Sequence, residues 1–256
     1  MGVILVEYGL FIRNLVMITL PFTIIHEDNH IIVVSKPPNI PSQSDKSGDS
    51  DLLSQIKGYI KERDNKPGNV FVGLVHRLDR PTGGVMVFAK TSKAAGRLSE
   101  QIAAGEMTKK YFAVVVGEPR DRSARLRHFL TKNSHANISM AHNAKVTDSK
   151  EAILEYKALE YADRITLLDI RLITGRSHQA RVQLQKIGCP IFGDTKYGGD
   201  TLAKGHNLAL WAYELHFEHP VQKVTMVFKV FPPEESVPWK YFALDKWIIT
   251  SKPVDN

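Results

Sequence analysis

Val75 to Lys90 reads VHRLDRPTGGVMVFAK. His76, Arg77 and Arg80 crowd a single carboxylate, Asp79. Apolar runs flank the cluster, Phe71 to Val75 before it and Val85 to Ala89 after it. Both are rich in valine and bounded by turn residues, which is the pattern of buried strands. Pro81, Thr82, Gly83 and Gly84 punctuate the connection between them. Asp79 is therefore expected on a turn between two core strands, where a rigid scaffold can fix a reactive group. Neighbouring arginines favour the ionised carboxylate. The same local chemistry also fits a structural Asp–Arg pair that braces a turn, so the rest of the chain has to decide.

The chain has 256 residues, 43% of them hydrophobic, enough for one substantial core or for one domain split into two lobes. Its net charge of +7 points to a polyanionic partner, with nucleic acid the first candidate. Cys189 is the single cysteine, which excludes an internal disulfide and a multi-cysteine metal site and fits a reducing cytosol. His26 to His30 reads HEDNH and matches HExxH on paper. Zinc chemistry on that motif needs a helix, so that both histidines face one ion. Here the segment lies between Ile24-Ile25 and Ile31 to Val34, which read as strands, and Asp28-Asn29 is turn chemistry. No metal is expected.

Leu15 to Ile25 is apolar but contains Pro21 and is shorter than the roughly 20 residues a membrane span needs. No basic region precedes it, so neither a signal peptide nor a membrane partner is expected. Residues 1 to about 17 read as an extension outside the core, with Met17 as an alternative start. The expected organisation is an extension over 1–20 and one folded domain over 21–256.

Further along, Asp49 or Ser50 is placed to cap a helix from Asp51 to about Arg63, with Leu52, Leu53, Ile56 and Ile60 as its apolar stripe. A second helix follows Thr91 or Ser92, with Ala95, Leu98, Ile102 and Ala103 inward and Gly105 as its stop. Tyr111 to Val116 reads as a strand. Arg120 to Lys145 is polar and basic with little periodicity, a candidate mobile hairpin over a phosphate backbone. Ala152 to Leu159 and Ile165 to Leu172 read as a strand pair turned at Tyr161 to Arg164. Ser177 is placed to cap a helix running to Ile187, with His178, Arg181 and Gln185 on one face and Ala180, Leu184 and Ile187 on another. Such a row of donors near a helix N-terminus suits an anion. Leu208 to Phe217 and Val221 to Phe231 are the last strands, and the tail from Val237 is expected to pack on the outside. Strands outnumber helices and pair through short turns. The expected class is α+β, a large, mostly antiparallel sheet with flanking helices.

Taken together, these segments resemble the RluA family of RNA pseudouridine synthases. HEDNHIIVVSKP resembles the family's first strand pair, and HRLDRPTGG its catalytic motif HRLDRxTSG. KKYFAVVVG resembles the segment with the active-site tyrosine, and LITGRSHQARVQL the segment LxTGRTHQIRVHL. GCPIFGDTKYGG and LHFEHP resemble the last two motifs. The likeness runs from about Phe22 to Phe231 in one order. Pro81, Gly83 and Ala180 depart from the usual acidic residue, Ser and Ile, and none stands at a position matched to chemistry.

The resemblance implies a pseudouridine synthase fold with a central active-site cleft and isomerisation of uridine to pseudouridine in rRNA or tRNA. It implies no cofactor. Asp79 matches the catalytic aspartate and Tyr111 the active-site tyrosine. Arg176 matches the basic residue that pairs with the aspartate, and Arg77 the arginine thought to occupy the space of the extruded nucleotide. His178 and Arg181 are further candidates for substrate binding, and His76 is read as structural. A cytoplasmic monomer with RNA as its only partner is expected. Two other readings stay open: a catalytically silent RNA binder on the same fold, and a nucleoside or glycoside hydrolase using Asp79. The second needs a pair of carboxylates, where Asp79 is surrounded by arginines instead.

Overall fold

The computed structural model describes residues 3–4, 18–198 and 205–248. Most of the expected N-terminal extension, and the tail beyond 248, lie outside the described residues. The chain divides into two compact units. The first is Met1–Glu106 with Phe217–Phe228, and the second is Met107–His216 with Lys229–Asn256. Every strand pairing described below is antiparallel, so the α+β class expected from the sequence is the one observed.

In the first unit, β1 (Val3–Ile4) pairs with β2 (Ile18–Thr19). β3 (Thr23–Glu27) turns into β4 (Ile31–Lys36), and β4 pairs with β6 (Gly83–Ala89) in register from Ile31↔Ala89 to Lys36↔Gly84. The short β5 (Gly73–Leu74) also pairs with β6. Every residue of β6 is buried, as its unbroken apolar run requires. The β3–β4 turn explains HEDNH. Asp28 Oδ1 accepts from the backbone of His30 (2.7 Å) and Ile31 (2.8 Å). Its Oδ2 lies 3.3 Å from His26 Nε2 and 2.9 Å from His219 Nε2. Burial pushes the Asp28 carboxyl up, but these hydrogen bonds outweigh it and hold the group at about 2. The two motif histidines thus sit on a strand and a turn rather than on one helical face.

Helix α1 (Leu52–Arg63) is capped by Asp51, one residue later than expected, whose side chain accepts from Ser54 N at 3.0 Å. Leu52, Ile56, Tyr59 and Ile60 are its buried residues, and Leu53 is only half-buried. Helix α2 (Ser92–Ala104) begins at Thr91 and ends at Gly105, as the sequence suggested. Its inward face differs from the expected one: Ala94, Leu98 and Gln101 are buried, while Ala103 is exposed. A polar residue takes the inner position because the Gln101 amide pairs in both directions with the Glu218 backbone, each bond 2.9 Å.

The second unit holds β7 (Thr108–Val116), β8 (Ser123–Asn133), β9 (Ile138–His142), β10 (Lys150–Ala162), β11 (Ile165–Leu172) and most of β12 (Leu210–Glu218). Their order is β12-β7-β11-β10-β8-β9. Asp163 and Arg164, at φ 40° and 67°, form the two-residue turn of the β10–β11 hairpin. Phe112, Val114, Leu154, Leu168 and Leu215 are among the buried core residues. Helix α3 (Gln179–Lys186) packs on β8 and β9.

The basic stretch Arg120 to Lys145 does form a hairpin, more regular than its sequence suggested, with Phe129↔His142 through Asn133↔Ile138 in register. Its period of two is real but one-sided. Ala124, Leu126, His128 and Leu130 are buried or half-buried, while Ser123, Arg125 and Arg127 are exposed. A histidine and an alanine at inward positions hid that alternation from the sequence. The tail also differs. Trp239, Phe242 and Leu244, around a 3₁₀ turn and before the short α4 (Asp245–Ile248), are buried rather than draped outside.

Candidate active site

Asp79 lies on the loop between β5 and β6, and that loop is held from both sides of the Asp79 peptide. Ser42 Oγ donates to Leu78 O (2.8 Å) and accepts from Leu78 N (3.2 Å). Asn39 N donates to Arg80 O at 2.8 Å. Lys36 Nζ donates to Arg80 O (3.0 Å), and its other protons reach Pro37 O (3.0 Å) and Ile40 O (2.7 Å). Thr82 N closes a turn back onto Asp79 O at 2.9 Å. Gly84 follows at φ +121°, a conformation open to glycine and rarely to other residues. The result is a half-buried carboxylate on a backbone that cannot drift.

Beneath the loop, the Lys36 side chain is fully buried. Burial pushes its ammonium down to about 7; the Asp79 charge opposes that shift and Arg80 adds to it. Sequence reading missed this residue. A signal was present, because Lys36 shares the pleat parity of Ile32 and Val34, both buried in β4. The arginines of the motif point the other way. Arg80 is exposed, donates to Ser47 Oγ (3.1 Å) and pairs with Asp49. Arg77 is exposed and has no hydrogen bond or ion pair among the described residues. His76 has the structural role expected of it: its Nε2 accepts from Val87 N at 3.1 Å.

In the second unit, Tyr111 lies on β7 between Ile170 and Ala212 of the neighbouring strands and is 6% exposed. The segment after β11 runs along the edge of β10. Ile173 N and the Thr174 hydroxyl bond to Ile153, and Gln179 Nε2 donates to Ile153 O at 2.9 Å. Arg176 sits on that anchored turn. Its backbone N donates to Gln179 Oε1 (2.9 Å) and its Nε to Glu151 O (2.9 Å), and the residue is exposed.

The expected row of donors on α3 does not form. His178, not Ser177, is the residue at the N-cap, in the left-handed region with no side-chain cap bond. Its Nδ1 lies 2.7 Å from Tyr197 Oη. Arg181 makes a bidentate pair with Asp194, Nε–Oδ2 2.8 Å and Nη2–Oδ1 2.7 Å, and the two side chains are 6% and 0% exposed. Tyr197 Oη also accepts from Ser139 N at 2.8 Å. Both side chains therefore turn inward and tie α3 to the 191–198 turn. Their partners Asp194 and Tyr197 lie well beyond one helical turn in sequence, which is why spacing alone did not separate them from Arg176.

Among the described residues no group of three His, Cys, Asp or Glu side chains is arranged to hold a metal ion. No helix there is long and apolar enough to cross a membrane.

The fold is that of pseudouridylate synthase domains. Human RNA Pseudouridylate Synthase Domain Containing 4 aligns with a TM-score of 0.69 at 23% identity, covering 82% of this chain and 88% of that one. Human RNA Pseudouridylate Synthase Domain Containing 1 aligns with a TM-score of 0.68 at 22% identity, covering 84% of each. Sequence carries the assignment further. Residues 30–186 match the family described as RNA pseudouridylate synthase. Ribosomal large subunit pseudouridine synthase D of Yersinia pestis is 32% identical over 232 residues, covering 85% of this chain and 69% of that protein. An Aquifex aeolicus protein described as an uncharacterized RNA pseudouridine synthase is 33% identical over 228 residues, covering 84% and 71%. The chain belongs to the RluA family of RNA pseudouridine synthases, and such an enzyme is an isomerase.

Proposed function

We propose that this chain isomerises uridine to pseudouridine in ribosomal RNA, with Asp79 as the reacting carboxylate. The observation that carries the reading is the two-sided bracing of the Asp79 peptide by Lys36, Asn39 and Ser42, which fixes the backbone while leaving the carboxylate half-exposed. The relatives named for ribosomal large subunit modification point to rRNA as the substrate.

A uridine in folded RNA must leave its stack before its ribose or ring can be reached, at a cost of a few kcal/mol. Arg77, exposed two residues before Asp79, fills the vacated space and holds phosphate. Tyr111 keeps the stacking role the resemblance implies, typically worth about 1–3 kcal/mol per base. Ionised Asp79 begins cleavage of the bond between N1 and C1′, as nucleophile or as base. The uracil turns, a bond forms between C5 and C1′, the C5 proton is lost and N1 is protonated. Arg176, exposed on its anchored turn, keeps the basic-residue role that the resemblance implies. His178 and Arg181 stay candidates for substrate binding, held in place by Tyr197 and Asp194. The reading takes the enzyme as a cytoplasmic monomer, which light scattering and fractionation check.

The test is a map of pseudouridines in ribosomal RNA from cells lacking the protein. One or more sites should be missing, restored by the wild-type chain and not by Asp79→Asn. A complete map without the protein, or restoration by the Asp79→Asn chain, would overturn the reading.

A further inference from the structure

In the first unit, away from the Asp79 loop in sequence, Lys57, Gly58, Lys61, Asn69 and Val70 line an open cleft of about 390 Å³. Lys57 and Lys61 stand one turn apart on α1. Like charges at that spacing destabilise a helix by a few tenths of a kcal/mol. Neither lysine has an ion pair among the described residues. Nearby carboxylates are already engaged: Asp64 by Arg63 and Lys66, and Glu27 by Arg63 and Lys90. The negative end of the helix accounts for Lys61, in the last turn, but not for Lys57.

Gly58, between the two lysines, is the second observation. It lies in the interior of a 12-residue helix, where glycine costs about 0.5–1 kcal/mol relative to alanine. Its φ is not in the left-handed region, and a Cβ there would meet nothing within 4 Å. Neither backbone conformation nor internal packing calls for glycine here. The bare backbone there leaves room for close approach by a ligand.

We propose that this cleft is a docking site for the RNA phosphate backbone, engaging the substrate at a distance in sequence from the target uridine. A phosphate lies between the two ammonium groups, the Asn69 amide supplies a neutral donor, and the bare Gly58 backbone lets the ribose–phosphate chain come close. The proposal deepens the RNA reading above and rests on it. Lysines here act as point charges, so they contribute affinity and little sequence choice.

The probe is protein-free ribosomal RNA, titrated against the full chain across a salt series, with wild type beside Lys57→Gln/Lys61→Gln and Gly58→Leu. The double variant should bind roughly tenfold more weakly near physiological salt, with the slope of log affinity against log salt reduced by about 1–2. Gly58→Leu should bind more weakly while its melting temperature holds or rises, an outcome a merely structural glycine would not give. The rate of pseudouridine formation at saturating RNA should stay at the wild-type value in both. Unchanged affinity and salt slope in the double variant would overturn the docking site, whatever the activity. A wild-type chain that binds RNA through this cleft yet forms no pseudouridine would instead sink the catalytic reading alone.

Discussion

The Asp79 loop and the Thr174 to Arg181 segment look alike in sequence, each a knot of cations beside a turn, yet they resolve in opposite directions. Around Asp79 the two arginines face outward and the buried cation is Lys36, contributed from another strand and met by carbonyl oxygens. In the second segment Arg181 and His178 are the buried pair, and only Arg176 stays exposed. What separates them is the location of the partner. Asp194, with a side chain that is 0% exposed, needs a matched guanidinium, and Arg181 is the one within reach.

The largest test of that contrast sets Arg181 against Arg176. Arg181→Met leaves Asp194 buried without its charge partner and should lower stability by about 3–5 kcal/mol. Arg176→Ala should melt like the wild type but lose roughly a hundredfold in turnover. Chemical unfolding and a turnover assay on both variants check this, and equal stability losses would break the comparison. Gly193→Ala probes the turn that presents Asp194. Gly193 sits at φ +76°, and a Cβ there would lie 2.1 Å from the Asn207 carbonyl oxygen. Since the clash is with backbone, the substitution should cost more than about 1 kcal/mol in urea unfolding.

Lys36 gives a pH-dependent effect. Its folded value of about 7 lies below the usual lysine value of 10.5. Between those values the unfolded chain holds a proton that the folded chain has released. Stability should therefore rise with pH across that window, by at most about 1.4 kcal/mol per pH unit, and the penalty is fully present below pH 7. Urea unfolding from pH 6.5 to 9.5 should show that slope in the wild type relative to Lys36→Met. A flat or reversed difference would contradict the burial of an ammonium under the loop.

Much of this was legible before the structure. Unbroken apolar runs located β4, β6 and β7, and Thr91 and Gly105 marked the ends of α2 because caps obey local rules. Asp79 and Arg176 stood out through their motifs, and both lie on turns braced by hydrogen bonds. Gln101 and His128 at inward positions were not, because a buried polar residue depends on a partner far along the chain. For the same reason Lys36 passed unnoticed, and the pairing of Arg181 with Asp194 was not foreseen.

The most direct test of the central claim is release of tritium from C5 of uracil in labelled ribosomal RNA, comparing the wild type with Asp79→Asn. The wild type should release tritium, and the variant should fall roughly a hundred- to ten-thousandfold while still binding RNA. Equal release by both would remove Asp79 from the chemistry. No release by the wild type from RNA that it binds tightly would leave an RNA-binding protein on a synthase fold.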